Sequence, residues 1–173
     1  MIDPANYSAT ETLPGGRRIE IRAQRPQDRA GLREALARTS AESLYYRFFS
    51  VKREFSEKEA DYFLDVDFVK HVALMAVVDE DGRAVIGGGA RYIVVQPGEA
   101  EASFAVIDDY QAKGIGAALM RHLSAIGREA GLRQFVAEVL SENAPMLKVF
   151  ERSGLTMSTR RDGTVVHVTL RFA

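Results

Sequence analysis

Phe104-Ala105-Val106-Ile107-Asp108-Asp109-Tyr110-Gln111-Ala112-Lys113-Gly114-Ile115-Gly116-Ala117 is the stretch around which the chain organises. It opens as an apolar, strand-like run and ends at the start of a long amphipathic segment. Two closely spaced glycines at a helix opening leave several backbone N–H groups unshielded by side chains. A helix start carries unpaired donors and roughly half a positive charge. Residues 111–117 therefore have the makings of a phosphate cradle.

Downstream of that turn, Ile115, Ala118, Leu119, His122, Leu123 and Ile126 recur at helical spacing over residues 114–130, with Arg121, Ser124 and Arg128 opposite. Gly131 ends this helix and residues 133–140 return as a strand. A strand–helix–strand unit makes its two strands parallel, with a right-handed crossover. Asn143 can cap a helix over 144–153, with Pro145 tolerated in its first turn and Gly154 as its stop. Strands over 155–160 and 164–172, joined at Asp162-Gly163, close the chain as a hairpin.

Upstream, residues 18–22 alternate with period two and predict a half-buried strand. Asp28 can cap a helix to about Arg38, with Leu32, Ala35 and Leu36 facing inward. A second short helix is expected over 41–49, and Ser56-x-x-Glu59 is a capping box that opens a third. Residues 72–78 and 84–95 predict strands joined at Asp81-Gly82, and Pro97-Gly98 turns the chain into a strand over 100–107. Residues 1–16, with Pro4, Pro14 and Gly15-Gly16, read as a flexible leader, and 17–173 as one domain. The expected fold is mixed α+β, a mostly antiparallel twisted sheet with one parallel crossover and helices on both faces.

Composition narrows the function classes. Hydrophobic residues make up 46% and charged residues 27% of 173, an ordinary globular balance. A net charge of −1 gives no reason to expect nucleic-acid or membrane binding. Without cysteine there is no disulfide, thiolate metal site or cysteine nucleophile. No secretory signal opens the chain and no apolar run approaches the about 18 residues of a spanning helix, so a cytoplasmic protein is expected. His71, His122 and His167 show no metal-ligand spacing, and no metal is expected. His122, on the apolar side of its helix, reads as packed, and Asp65, Asp67, Asp79 and Asp81 as loop and turn acids.

The glycine turn has rivals. As a dinucleotide fingerprint it would place Glu138 at the distance of a ribose ligand. Yet six residues, 108–113, separate the strand from the first glycine, and the third glycine position is Leu119. A mononucleotide P-loop needs Gly-Lys-Ser/Thr, where this chain has Ala117-Ala118. The remaining rival is a helix start whose glycines only permit close packing. Gln/Arg-x-x-Gly-x-Gly/Ala after a strand resembles the coenzyme A pyrophosphate loop of the GNAT acyltransferases, and the element order resembles that fold from Arg18 onward. The resemblance implies acetyl-CoA as cosubstrate, held by Gln111, Ala112, Lys113, Gly114, Ile115, Gly116 and Ala117. It also implies that the backbone at Ala105, Val106 and Ile107 holds the pantetheine and polarises the thioester. Asn143-Ala144-Pro145-Met146-Leu147-Lys148-Val149-Phe150-Glu151-Arg152-Ser153-Gly154-Leu155 resembles the family's Asn-x-x-Ala-x-x-Leu-Tyr-x-x-x-Gly-Phe segment. Asn143, with Met146 beside it, thereby inherits a pantetheine contact as well as its capping role.

Acyl transfer to an amine requires a neutral nitrogen. A lysine with a pKa of about 10.4 is neutral in only about four molecules in ten thousand at pH 7, a penalty of roughly 4.6 kcal/mol. A base that takes the proton, directly or through water, removes much of it. Glu101, in a Glu-x-x-Phe setting, matches the glutamate of the protein-lysine acetylating branch. Apolar neighbours would raise its pKa from about 4.3 towards a useful range, whereas a solvent-facing strand glutamate is the plain alternative. The family's tyrosine acid is replaced by Phe150, which cannot donate, and Tyr110 lies in the loop. Ser43-Leu44-Tyr45-Tyr46-Arg47-Phe48-Phe49 together with Ser56-Glu57-Lys58-Glu59 resembles the module that acetylates acyl-CoA synthetases, although an aromatic cluster of this kind is also ordinary core. The resemblance thus implies an N-acetyltransferase with a protein lysine as acceptor, acting as monomer or homodimer. A small amine (polyamine, amino acid or antibiotic) is the alternative acceptor, and a non-catalytic acyl-CoA sensor the alternative role.

Overall fold

The computed structural model describes residues 1–40 and 56–173. The helix expected over 41–49, and with it the aromatic cluster 44–49, lies outside the described residues. Among the described residues, twelve α-helices and strands follow in chain order: β1 Ser8–Thr12, β2 Arg18–Ala23, α1 Arg29–Ala37, α2 Glu57–Leu64, β3 His71–Glu80, β4 Arg83–Gln96, β5 Glu99–Val106, α3 Ile115–Glu129, β6 Gln134–Leu140, α4 Ala144–Glu151, β7 Thr156–Asp162 and β8 Val165–Arg171. They build one eight-stranded sheet in the order β1-β2-β3-β4-β5-β6-β8-β7. Every pairing is antiparallel except β5 with β6, which is parallel as a strand–helix–strand unit requires.

Alternation sorts side chains to the two faces. Val72, Leu74, Ala76 and Val78 of β3 meet Ala90 and Tyr92 of β4, Ala100 and Ala102 of β5, and Phe135, Ala137 and Val139 of β6 in the main core. Leu119, Leu123 and Ile126 of α3 complete that core. The opposite face of β2–β4 is covered by α1 and α2. Arg91 there lies buried, donating to Gln24 at 2.9 Å and to the Phe63 carbonyl at 3.2 Å, and so ties α2 to the sheet.

The structure departs from the sequence reading at residues 8–12, at Asp28 and at Ser124. Residues 8–12 are not loose: they pair with Arg18–Arg22 as an edge strand, and Leu13 is buried behind them. Tyr7 and Glu11 fasten this strand to α3 through His122, whose Nε2 lies 2.6 Å from Glu11 and whose Nδ1 bonds the Tyr7 hydroxyl. A polar sequence hid the strand because its side chains need neither core nor helix spacing. Asp28 does not cap α1 with its side chain. Instead its carboxylate accepts from Arg22, at 2.8 and 2.9 Å, and from the Arg25 amide at 2.7 Å. Ser124, expected on the solvent side of α3, is buried. It shares a flank with Gly116 and Met120, and Gly116 faces Val149 of α4.

Among the described residues no helix is long and apolar enough to cross a membrane. Because Leu119 is fully buried at the centre of α3, Leu119→Ala should cost about 2–5 kcal/mol of unfolding free energy, read by urea titration.

Candidate active site

The glycine turn adopts the form a phosphate cradle needs. Ala112 (φ 61°) and Gly114 (φ 98°) both sit in left-handed conformations, and Gly114 is the N-cap of α3 with no side-chain cap bond. The first amide of the helix to find an acceptor is that of Ala118, bonded to the Gly114 carbonyl at 3.0 Å. No partner is recorded among the described residues for the amides of residues 112–117. The open donors and the dipole of the fifteen-residue α3 converge at this point. Lys113 is exposed beside it. Gln111 is used differently from expectation, its Nε2 donating at 2.9 Å to the Val106 carbonyl and so fastening the turn to the end of β5.

The surroundings hold this turn in place. Tyr110 is buried immediately before it, its hydroxyl donating to Glu80, with the Arg17 and Arg38 guanidiniums over its ring at 5.3 and 5.9 Å. Arg38 grips Glu80 at 2.8 and 3.0 Å and Asp109 at 2.6 Å, while Asp108 accepts the Ser40 amide. A Cβ at Gly88 would lie 2.8 Å from the Ala105 carbonyl oxygen and 3.2 Å from Ile115. Glycine there lets the first turn of α3 close onto the sheet. Three successive glycines, 87–89, inside a strand were the available sequence signal for that close approach. The Arg38–Glu80–Tyr110 cluster had none, because its members come from separate elements.

A gap opens beside the turn. The β5–β6 pairing comprises Glu99↔Gln134, Ala100↔Phe135 and Glu101↔Val136, and stops there although both strands continue. The Ile107 amide, expected to face a ligand, is instead bonded to the Gly87 carbonyl at 2.9 Å. Strand alternation then turns the amide of Val106 towards the gap and that of Ala105 towards β4. Across the gap, Asn143 caps α4 by accepting the Met146 amide at 3.2 Å, which leaves its side-chain NH₂ to donate elsewhere. Met146 is half-buried at the core margin. Phe150 is 1% exposed, packed edge-on against Phe104 with centroids 5.8 Å apart. Its seat is thus filled by a ring without a proton to give. Burial and the bond to Glu80 push the Tyr110 hydroxyl above its usual range, so it is no ready acid either.

Glu101 lies at the lip of this gap, between Ile93 of β4 and Val136 of β6. It is exposed, without the apolar enclosure expected for it among the described residues. It shares the outer sheet face with Glu99, Ser103, Val136, Glu138, His167, Thr169, Ser158 and Arg160, and no described helix covers that half of the face. Among the described residues no group of three or more His, Asp or Glu could hold a metal ion.

Two outcomes test the turn. Gly114→Ala forces a Cβ into a left-handed residue 3.0 Å from Pro14, so coenzyme A binding, measured by calorimetry, should weaken roughly 5–30-fold. Hydrogen bonds from Arg38 and Tyr110 hold the Glu80 carboxyl down at about 2, against an ordinary 4.5. Such a group adds stability that is complete above its ordinary pKa and fades as pH falls from there towards the depressed value. Glu80→Gln should therefore lower Tm at pH 7 and flatten the Tm profile between 4.5 and about 2.

Known proteins share this arrangement. The acetyltransferase (GNAT) family model matches residues 38–155. An acetyltransferase of Pseudomonas aeruginosa is 34% identical over 137 residues, covering 79% of this chain and 74% of that protein. The acetyltransferase Pat of Mycolicibacterium smegmatis is 35% identical over 119 residues, or 66% of this chain. That match takes in 34% of Pat, so the chain spans about a third of that relative's length. The crystal structure of the GNAT domain of S. lividans PAT superimposes with a TM-score of 0.86 at 32% identity, over 95% of this chain and 97% of that one. An open helix terminus beside a split parallel strand pair, matched across most of the sequence, places the chain in the GNAT acetyltransferase family, whose acyl donor is acetyl-CoA.

Proposed function

We propose that this acetyltransferase transfers acetyl from acetyl-CoA to the side chain of a lysine on another protein, with Glu101 as the base. The observation that carries this reading is the openness of the outer sheet face. Glu101 stands on a broad polar surface of four strands that no described helix roofs. A small amine is usually taken into a concave site that buries most of it, whereas a protein brings its own cover. Docking would remove water from Glu101 and supply low-dielectric surroundings that the described residues do not provide there.

The reaction runs through a ternary complex. The pyrophosphate of acetyl-CoA rests on the amides of residues 112–117, with Lys113 beside it. The pantetheine lies in the gap between Val106 and Asn143, with Met146 at its margin. The Val106 amide polarises the thioester carbonyl. Glu101 takes a proton from the lysine ammonium, directly or through one water. The neutral nitrogen attacks and the C–N bond forms. The nitrogen then gives its extra proton to solvent as the C–S bond breaks, and the thiolate leaves and takes a proton from solvent because Phe150 offers none.

Glu101→Gln should lower turnover by about 10²–10⁴-fold with acetyl-CoA affinity nearly unchanged, and unaltered turnover would remove Glu101 as base. Incubation of the enzyme with labelled acetyl-CoA and a cell extract tests the acceptor. Label on defined protein lysines supports the reading, label on small amines alone overturns it, and tight acetyl-CoA binding without any labelled product points to a sensor.

A further inference from the structure

Glu101 has a counterpart on the far side of the gap. In the parallel register Glu101 stands beside Val136, and the next residues on the same outer face are Ser103 on β5 and Glu138 on β6. Strand pairing has ended by then, so these two side chains border the opening from its two sides. Glu99, one step before the gap, is held by the Gln134 amide at 2.7 Å and by Gln96. For Glu101 and Glu138 no hydrogen-bond donor is recorded among the described residues. His167 stands directly across from Glu138 on β8, with Nδ1 3.6 Å from Oε1. The other ring nitrogen of His167 lies 3.9 Å from Asp162, and Arg160 of β7 stands opposite the ring. The Glu138 side chain is 55% exposed.

We infer that Glu138, steadied by His167, receives the ammonium of the incoming acceptor and orients it towards Glu101; this rests on the lysine-acetylation reading above. A lysine ammonium carries three donors and needs acceptors on more than one side while it waits. Glu101 can hold and then accept one of these protons. Glu138, across the opening, supplies the second carboxylate. Its role is positioning, because a carboxylate that stabilises the charged amine works against deprotonation and belongs to binding. His167 limits the rotamers of Glu138 from the neighbouring strand, with Asp162 and Arg160 setting the charge around the ring.

The signature is a split between binding and chemistry. Steady-state kinetics with a lysine peptide and with a small primary amine are compared for the wild type, Glu138→Gln, Glu138→Asp and His167→Gln. For Glu138→Gln the expected result is an acceptor KM raised roughly 5–50-fold. Its kcat should be unchanged or slightly higher, and coenzyme A binding the same as wild type. Glu138→Asp should recover part of the loss. His167→Gln should raise KM less, and add little when combined with Glu138→Gln. An unchanged KM in Glu138→Gln overturns the assignment, and so does a hundredfold loss of kcat at constant KM, which would make Glu138 a base. If the wild type uses the small amine and ignores the peptide, the protein-lysine reading falls. The KM for that amine in Glu138→Gln then still decides the role of Glu138. Turnover of no amine overturns both.

Discussion

Everything at the active site depends on two parallel strands parting after three paired residues. Below the gap, β5 and β6 share the backbone bonds at residues 99–101 and 134–136. Above it, each strand is committed elsewhere, β5 to β4 as far as Val106↔Gly88, and β6 to β8 as far as Leu140↔Val165. Unpaired backbone donors would be a liability inside a sheet. At the rim of an opening such donors stay accessible. The glutamates of the two strands inherit places on the lips of that opening.

A second constraint keeps the top of the gap rigid. The glycine turn has little of its own to hold it, since a left-handed alanine at residue 112 and an uncapped helix start are costly. Its stability comes from outside: Gln111 bound to the Val106 carbonyl, Tyr110 wedged beside β4, and Arg38 joining Glu80 to Asp109. These contacts draw together α1, the β3–β4 hairpin and the loop after β5. The N-terminal turn adds Pro14 against Gly114 and Arg17 over Tyr110. A segment that reads as a flexible leader therefore packs against the glycine turn.

Much of this was legible in the residue order. The helical stripe from Ile115 to Ile126 and the Asp81-Gly82 and Asp162-Gly163 turns depend on neighbours within a few positions. So does the Ser56-Glu59 capping box, which forms as the pattern predicts. The parallel crossover follows from element order alone. Burial beyond one element was less legible. Ser124 is polar yet lies inside, and Glu101 has apolar chain neighbours yet stands in solvent because alternate strand residues face opposite ways.

Local spacing by itself determined the strand–turn–helix with its open amides, since its geometry is set by covalent backbone preferences and glycine freedom. It also determined the fold class, because hydrophobic period and turn chemistry leave few ways to arrange such elements. Only the tertiary structure decided which amides remain free, taking that of Ile107 into β4 and turning that of Val106 to the gap. It also brought Glu101 and Glu138, thirty-seven positions apart in sequence, to one opening. Register between distant strands sets both, and that register is fixed by the packing of whole faces, not by any short run of residues.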